Sequence, residues 1–267
     1  MLKDITLGQY FPGNSVVHRL DPRAKLILTF IYIIALFLAS GFLTYAVMLA
    51  WLVLAVSLSR IPLRMFLKGL RPLLFIVILT GLLNVFYTDG RVLAQWWIFR
   101  ITLEGLLMAV RMIMRILMLV TGTFLLTYTT SPLQLTDALE RLLGPLKRIR
   151  VPVHELAMMM TIALRFIPTL IEEADKIMNA QRARGADFDS GNIIRRARAL
   201  VPLLVPLFVS AFRRAEDLAV AMESRCYHGG EGRTRMRVLA FRAADAAILA
   251  AFLAISAGVG VLGVVGF

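Results

Sequence analysis

Two arginines in this sequence stand in matched surroundings. The segments Ala174-Asp-Lys-Ile-Met-Asn-Ala180-Gln-Arg-Ala-Arg184-Gly185 and Ala215-Glu-Asp-Leu-Ala-Val-Ala221-Met-Glu-Ser-Arg225-Cys226 repeat Ala, an acid, an aliphatic, Ala and Arg at the same offsets, 41 residues apart. Each copy follows a proline-marked apolar run, Phe166-Ile-Pro168 and Leu204-Val-Pro206, and each ends in a small or turn-like residue. The chemistry on offer is grip: a guanidinium makes bidentate, charge-assisted contacts with carboxylates and carbonyls. The helix dipole favours a cation in the last turn, which accounts for either arginine singly. It does not account for a duplicated eleven-residue frame. Two equivalent tips predict two equivalent sockets on partner proteins.

Little else in the chain could do chemistry. His18, His154 and His228 lie far apart at turns or helix starts, without ligand spacing, so no metal is expected. The single cysteine, Cys226, excludes an internal disulfide and a Cys-based metal cluster. Gly229-Gly-Glu-Gly232 lacks the lysine and the preceding strand of a phosphate loop, and neither H-E-x-x-H nor a nucleophile elbow occurs. The chain is therefore expected to be no enzyme by itself and to hold no cofactor of its own.

The elements that must position the arginines follow from hydropathy and charge. With 59% hydrophobic residues and a mean hydropathy of +0.76, the chain reads as an all-α polytopic membrane protein. Apolar runs at Ala24 to Ser40, Leu43 to Ser59, Pro72 to Tyr87, within Leu103 to Tyr128, and at Ala243 to Val265 predict about five membrane helices. The fourth carries Arg111 and Arg115 one turn apart; at that depth they should face the bundle, a partner or water, or snorkel to the surface. Trp96 and Trp97 suit an interfacial belt. Ser131 and Pro132 predict the start of an amphipathic helix, and Val153 to Arg184 and Ile193 to Arg225 two long ones, with kinks or restarts at Pro168, Pro202 and Pro206. Neither long helix is apolar all round, which fits the cytoplasmic face better than the bilayer.

The formal net charge is +13, and 25 of the 30 Lys and Arg fall in residues 1–25, 60–71 and 131–240. Such blocks between apolar spans mark the cytoplasmic side and make nucleic acid an improbable partner. The reading places the N-terminus and 131–240 inside and the C-terminus outside. It divides the chain into a membrane region 1–130, a coupling domain 131–240 bordered by a basic hinge at Gly229 to Arg237, and a final span 241–267. Acids are nearly absent from the spans, Glu104 and Asp245 lying near their ends, which weakens a proton- or sodium-coupled carrier.

Residues along the whole chain resemble the transmembrane T component of energy-coupling factor (ECF) vitamin transporters. His18-Arg-Leu-Asp21-Pro22-Arg23-Ala-Lys25 is similar to the motif that opens its first span. Thr130-Ser-Pro, Glu155-Leu, Leu164-Arg-Phe-Ile-Pro168 and Ala180-Gln-Arg-Ala-Arg-Gly185 match later landmarks. Pro12-Gly-Asn-Ser15 looks more like the shared T components than those dedicated to cobalt, nickel or biotin. The resemblance implies a scaffold in a prokaryotic plasma membrane, between two ABC ATPases that bind the ATP and an interchangeable vitamin-binding S component. It assigns the ATPase contacts to Ala183-Arg184-Gly185 and Ser224-Arg225-Cys226. Where glycine is common the second copy has Cys226, so no left-handed cap is expected there. Two rival readings remain at this point: a stand-alone secondary carrier, and a membrane-anchored interaction protein using its basic region on anionic lipid.

Overall fold

The computed structural model describes residues 10–96, 99–186, 188, 192–230 and 239–265. In chain order the elements are α1 (Val16–Arg19), α2 (Pro22–Leu38), α3 (Phe42–Ser59), α4 (Leu63–Leu70) and α5 (Leu74–Tyr87). A hairpin of β1 (Val92–Trp96) and β2 (Phe99–Thr102) leads into α6 (Leu103–Thr129). Then follow α7 (Pro132–Leu142), α8 (Val153–Ala183), α9 (Ile193–Glu223) and α10 (Ala243–Val265). The chain forms two compact units, one of Gly8–Ala138 with Leu239–Phe267 and one containing Leu139–Val238.

The all-α polytopic reading holds, with local corrections. Four helical stretches are long and apolar enough to cross a membrane: Phe42–Ser59, Leu63–Tyr87, Val153–Ala183 and Ala243–Gly263. This set differs from the five runs read in the sequence. α2 has only 17 residues, whereas α8 passes because its first half holds few charges beyond Glu155 and Arg165. The basic stretch 60–71 is no loop: α4 and a single 3₁₀ turn, Arg71–Leu73, run directly into α5. The interfacial segment is an antiparallel hairpin pairing Val92 with Thr102 and Gln95 with Arg100; Trp97 lies outside the described residues, as does the hinge from 231 to 237. The prolines of α8 and α9 interrupt neither helix.

Local sequence explains where helices begin. Asp21 caps α2 by accepting from the Arg23 N–H, and Pro22 takes the first position, where its missing N–H costs nothing. Ser131 and Gln134 form a reciprocal capping box on α7: the Gln134 N–H donates to Ser131 Oγ and the Ser131 N–H to Gln134 Oε1.

Packing of the first unit centres on α2, α3, α6 and α10. Phe252 of α10 and Leu36 of α2 are fully buried, and Phe252 stacks on Trp51 of α3 at 4.9 Å. Tyr32 of α2 lies on Gly122 of α6, where an added Cβ would sit 2.6 Å from the ring, and its hydroxyl donates to the Met118 carbonyl. Gly105 plays the same part between α6 and α5, since a Cβ there would stand 3.0 Å from the Asn84 and Val85 carbonyls. Such close approach lets backbone and side chain make the van der Waals contact that holds apolar helices together.

The motif that opens α2 is the lock of this unit. Lys25 is 5% exposed, and its ammonium donates to the carbonyls of Thr129 (2.8 Å) and His18 (3.3 Å) and to Thr130 Oγ1 (3.4 Å). Asp21 is clamped by Arg23 through Nε and Nη2, while Arg23 Nη2 also donates to the Leu239 carbonyl. The Asp21 N–H donates to Asp245 Oδ1, whose other oxygen accepts from the Arg242 N–H at the start of α10. Four residues thus tie the start of α2 to the end of α6 and the start of α10. Asp245, on the far end of the chain, is the partner that the motif alone could not name. The leader before it is folded as well: His18 bonds Ser15 Oγ at 2.6 Å and the Phe11 carbonyl at 3.0 Å, and the Phe11 N–H donates to the Tyr128 carbonyl.

Asp245→Ala leaves the buried Asp21 N–H and the part-buried Arg242 N–H without their acceptor and should lower stability by about 1–3 kcal/mol, read as a fall in Tm of the purified chain. Asp245→Asn, which keeps one acceptor oxygen, should lose roughly half as much. Burial disfavours the Asp21 carboxylate, but the hydrogen bonds and charge of Arg23, with Lys25, outweigh it and hold its pKa below the ordinary value. Its stabilisation is therefore complete above the ordinary aspartate range and is lost as pH falls through the lower folded value. A pH series of Tm should show an acid-side decline below about pH 4 that Asp21→Asn reduces.

Candidate functional site

The two frames read in the sequence end in the same backbone structure. At the end of α8 the Gly185 N–H donates to the Arg182 carbonyl and the Ala186 N–H to Gln181. At the end of α9 the Cys226 N–H donates to Glu223 and the Tyr227 N–H to Met222, each bond displaced by the same 41 residues. Both are the paired bonds of a Schellman cap, which requires a left-handed residue just past the helix. Gly185 supplies it with φ of 87° and Cys226 with φ of 55°. The expectation that Cys226 would forgo this conformation is wrong. The two hydrogen bonds outweigh the roughly 1–2 kcal/mol that a side chain costs in the left-handed region.

Each cap presents its triplet to solvent: Ala183, Arg184 and Gly185 on one helix, Ser224, Arg225 and Cys226 on the other, are all exposed. Among the described residues, no hydrogen bond or ion pair is seen at either the Arg184 or the Arg225 guanidinium. Each is an uncommitted, permanently charged fork at a helix end.

The helices that carry the tips cross antiparallel. Moving up α8, the partners on α9 descend: Arg214 lies over the Phe166 ring, Glu173 bonds Ser210 and Arg214, and Gln181 reaches the Pro202 carbonyl. Glu173 accepts from Ser210 Oγ at 2.7 Å and from Arg214 Nη2 at 2.9 Å. Glu173 and Arg214 themselves occupy the same position in the two frames, each just before the opening alanine. The repeat therefore crosses itself at equivalent points, and each tip arginine lies eleven residues, or about 17 Å, beyond the ion pair. Because the helices run oppositely, the two tips leave the crossing in opposite directions. Sequence reasoning stopped at Ala174 and Ala215; one residue further back, opposite charges at matching positions already signalled the contact.

Other candidates take structural places. Arg115 donates to the Ala39 carbonyl and to Tyr45 Oη, and Arg111 to the Ser40 carbonyl, so both serve the C-terminal end of α2. A helix C-terminus offers orphan carbonyls and the negative end of the dipole, which suits a cation held among apolar neighbours. His154 pairs with Glu140 at 2.9 Å. No group of His, Cys, Asp or Glu that could hold a metal occurs among the described residues.

The sequence profile of the cobalt transport protein family, CbiQ, matches residues 13–236. The chain is 57% identical over 253 residues to the energy-coupling factor transporter transmembrane protein EcfT of Thermosediminibacter oceani, covering 95% of this chain and 94% of that one. It is 56% identical over 245 residues to the protein of that name from Ruminiclostridium cellulolyticum, covering 92% of each. With the one from Bacillus subtilis it shares 49% over 258 residues, 96% and 97% of the two chains. The chain belongs to the CbiQ family and to the transmembrane components of energy-coupling factor transporters.

Proposed function

We propose that this chain is the energy-coupling scaffold of an ECF-type ABC importer in the prokaryotic plasma membrane. It passes ATP-driven motion of two ATPase subunits to a vitamin-binding S component. The observation that carries this reading is the pair of equivalent tips: two Schellman caps, 41 residues apart, each exposing an arginine without a partner among the described residues. Two homologous ATPases offer two homologous sockets, and a pair of fork-shaped cations at opposite ends of a crossed helix pair fits them. ATP-driven approach of the ATPases would change the angle at which α8 and α9 cross, and the membrane helices would relay that change to the S component. Proline inside both helices favours such bending, because each removes one backbone hydrogen bond. The tips face the cytoplasm in this proposal, with the N-terminus on the same side and the end of α10 outside.

Arg184→Glu and Arg225→Glu should each weaken ATPase docking by about 2–5 kcal/mol, and the double variant should abolish ATPase co-purification and vitamin uptake. Full assembly and uptake in the double variant would refute the role. Cys226 offers a second check, since it is the chain's single cysteine, exposed beside Arg225. A membrane-impermeant maleimide should label it in inside-out but not right-side-out vesicles, and bound ATPases should protect it. Labelling from the outside, or equal labelling with and without the ATPases, would overturn the orientation or the docking site respectively.

A further inference from the structure

An apolar cleft of about 260 Å³ opens between α1, α2, α3 and α6. Its walls include Leu28 and Tyr32 of α2, Trp51, Ala55 and Leu58 of α3, and Leu125 of α6. Lys25, Thr29 and Thr129 also reach it, yet their polar groups are already spent. The Lys25 ammonium is held by His18, Thr129 and Thr130; the Thr29 and Thr129 hydroxyls donate to the carbonyls one turn back; and Tyr32 Oη donates to Met118. The cleft thus offers an occupant almost no hydrogen bond and suits neither water nor a polar solute. A dry apolar cavity of about 150 Å³ is known to take a molecule as large as benzene. A whole helix, about 10–12 Å across with its side chains, does not fit this one. Half-exposed Leu54 and Leu58 leave it open at the side of α3, one of the membrane-crossing helices.

Two cations flank its lining residues in sequence. Arg19 ends α1 beside the lining residue Leu20, Arg60 follows α3 two residues after Leu58, and both are exposed. The acid nearest in sequence, Asp21, is buried and bound by Arg23. We propose that the cleft holds one acyl chain of an anionic phospholipid from the leaflet on the side of α1, with its headgroup against Arg19 and Arg60. The lipid acts as a wedge between α3 and the α2–α6 pair, at the place where Tyr32 seats on Gly122. This inference does not depend on the ATPase reading and can fail separately from it.

The full-length chain is reconstituted in phosphatidylcholine vesicles containing a trace of phosphatidylglycerol, or of phosphatidylcholine, with a photoactivatable acyl chain. Labelling should concentrate on peptides of α2, α3 and α6 that line the cleft and should favour phosphatidylglycerol by up to roughly thirtyfold, as two surface cations imply. Ala55→Trp, which fills the cleft, should remove this labelling, whereas Val53→Trp on the exposed face of the same helix should leave it unchanged. If Ala55→Trp fails to insert, Ala55→Leu should give a partial loss. Arg19→Gln with Arg60→Gln should abolish the headgroup preference while chain labelling persists. Cleft labelling that survives filling at Ala55, or equal labelling by both lipids, would each overturn the proposal.

Discussion

Every α-helix leaves its first N–H groups and its last carbonyls without intrahelical partners, and within a bilayer there is no water to take them. In this molecule several charged side chains of the unit built on α2, α3, α6 and α10 answer that constraint. Lys25 serves the carbonyls that end α6. Asp21 and Asp245 serve the N–H groups that begin α2 and α10. Arg115 serves the C-cap carbonyl of α2 at Ala39, and Arg111 the Ser40 carbonyl just beyond it. Charge is tolerated at these depths because each group completes a helix end that would otherwise be left open, and the same contacts fix which ends lie together.

The helix pair α8 and α9 solves the constraint by a different route. Its ends close on their own backbone through Schellman bonds, so their arginines are not consumed as caps. That difference separates structural cations from available ones. Lys25 and Arg115 are committed inside the unit, whereas Arg184 and Arg225 stand exposed on rigid helix ends about 17 Å beyond a shared ion pair. Each of these two arginines stands at the end of a continuous helix rather than within a loop. The proposed relay role rests on that availability, together with membership of the ECF transmembrane family.

Much of this was legible in residue order because it is local. Asp-Pro before an apolar run announces a capped helix start, Ser131-Pro132 does so again, and a frame repeated at 41 residues announces equivalent tips. Hydropathy identified a polytopic helical chain but not which helices lie in the bilayer. Composition treats α8, half apolar and half charged, as spanning, and it cannot distinguish an apolar face turned to lipid from one turned to a partner. The hairpin at residues 92–102 and the helix through 63–70 escaped notice because short segments rich in Arg, Leu and aromatic residues suit loop, strand or interfacial helix alike.

Sequence by itself determined the membrane class, the family, most helix starts and the paired arginines, since each is written in residue order and needs no knowledge of which segments meet. Only the tertiary structure decided that Asp21 meets Asp245 across 224 residues, that Arg115 finishes α2, and that Glu173 crosses to Arg214. The left-handed turn at Cys226 is a local matter, set by the carbonyls of its own helix end. For the three long-range contacts the reason is common. A side chain's identity states which bonds it can make, but the unmet group it answers is created by where another segment of the chain happens to end or cross.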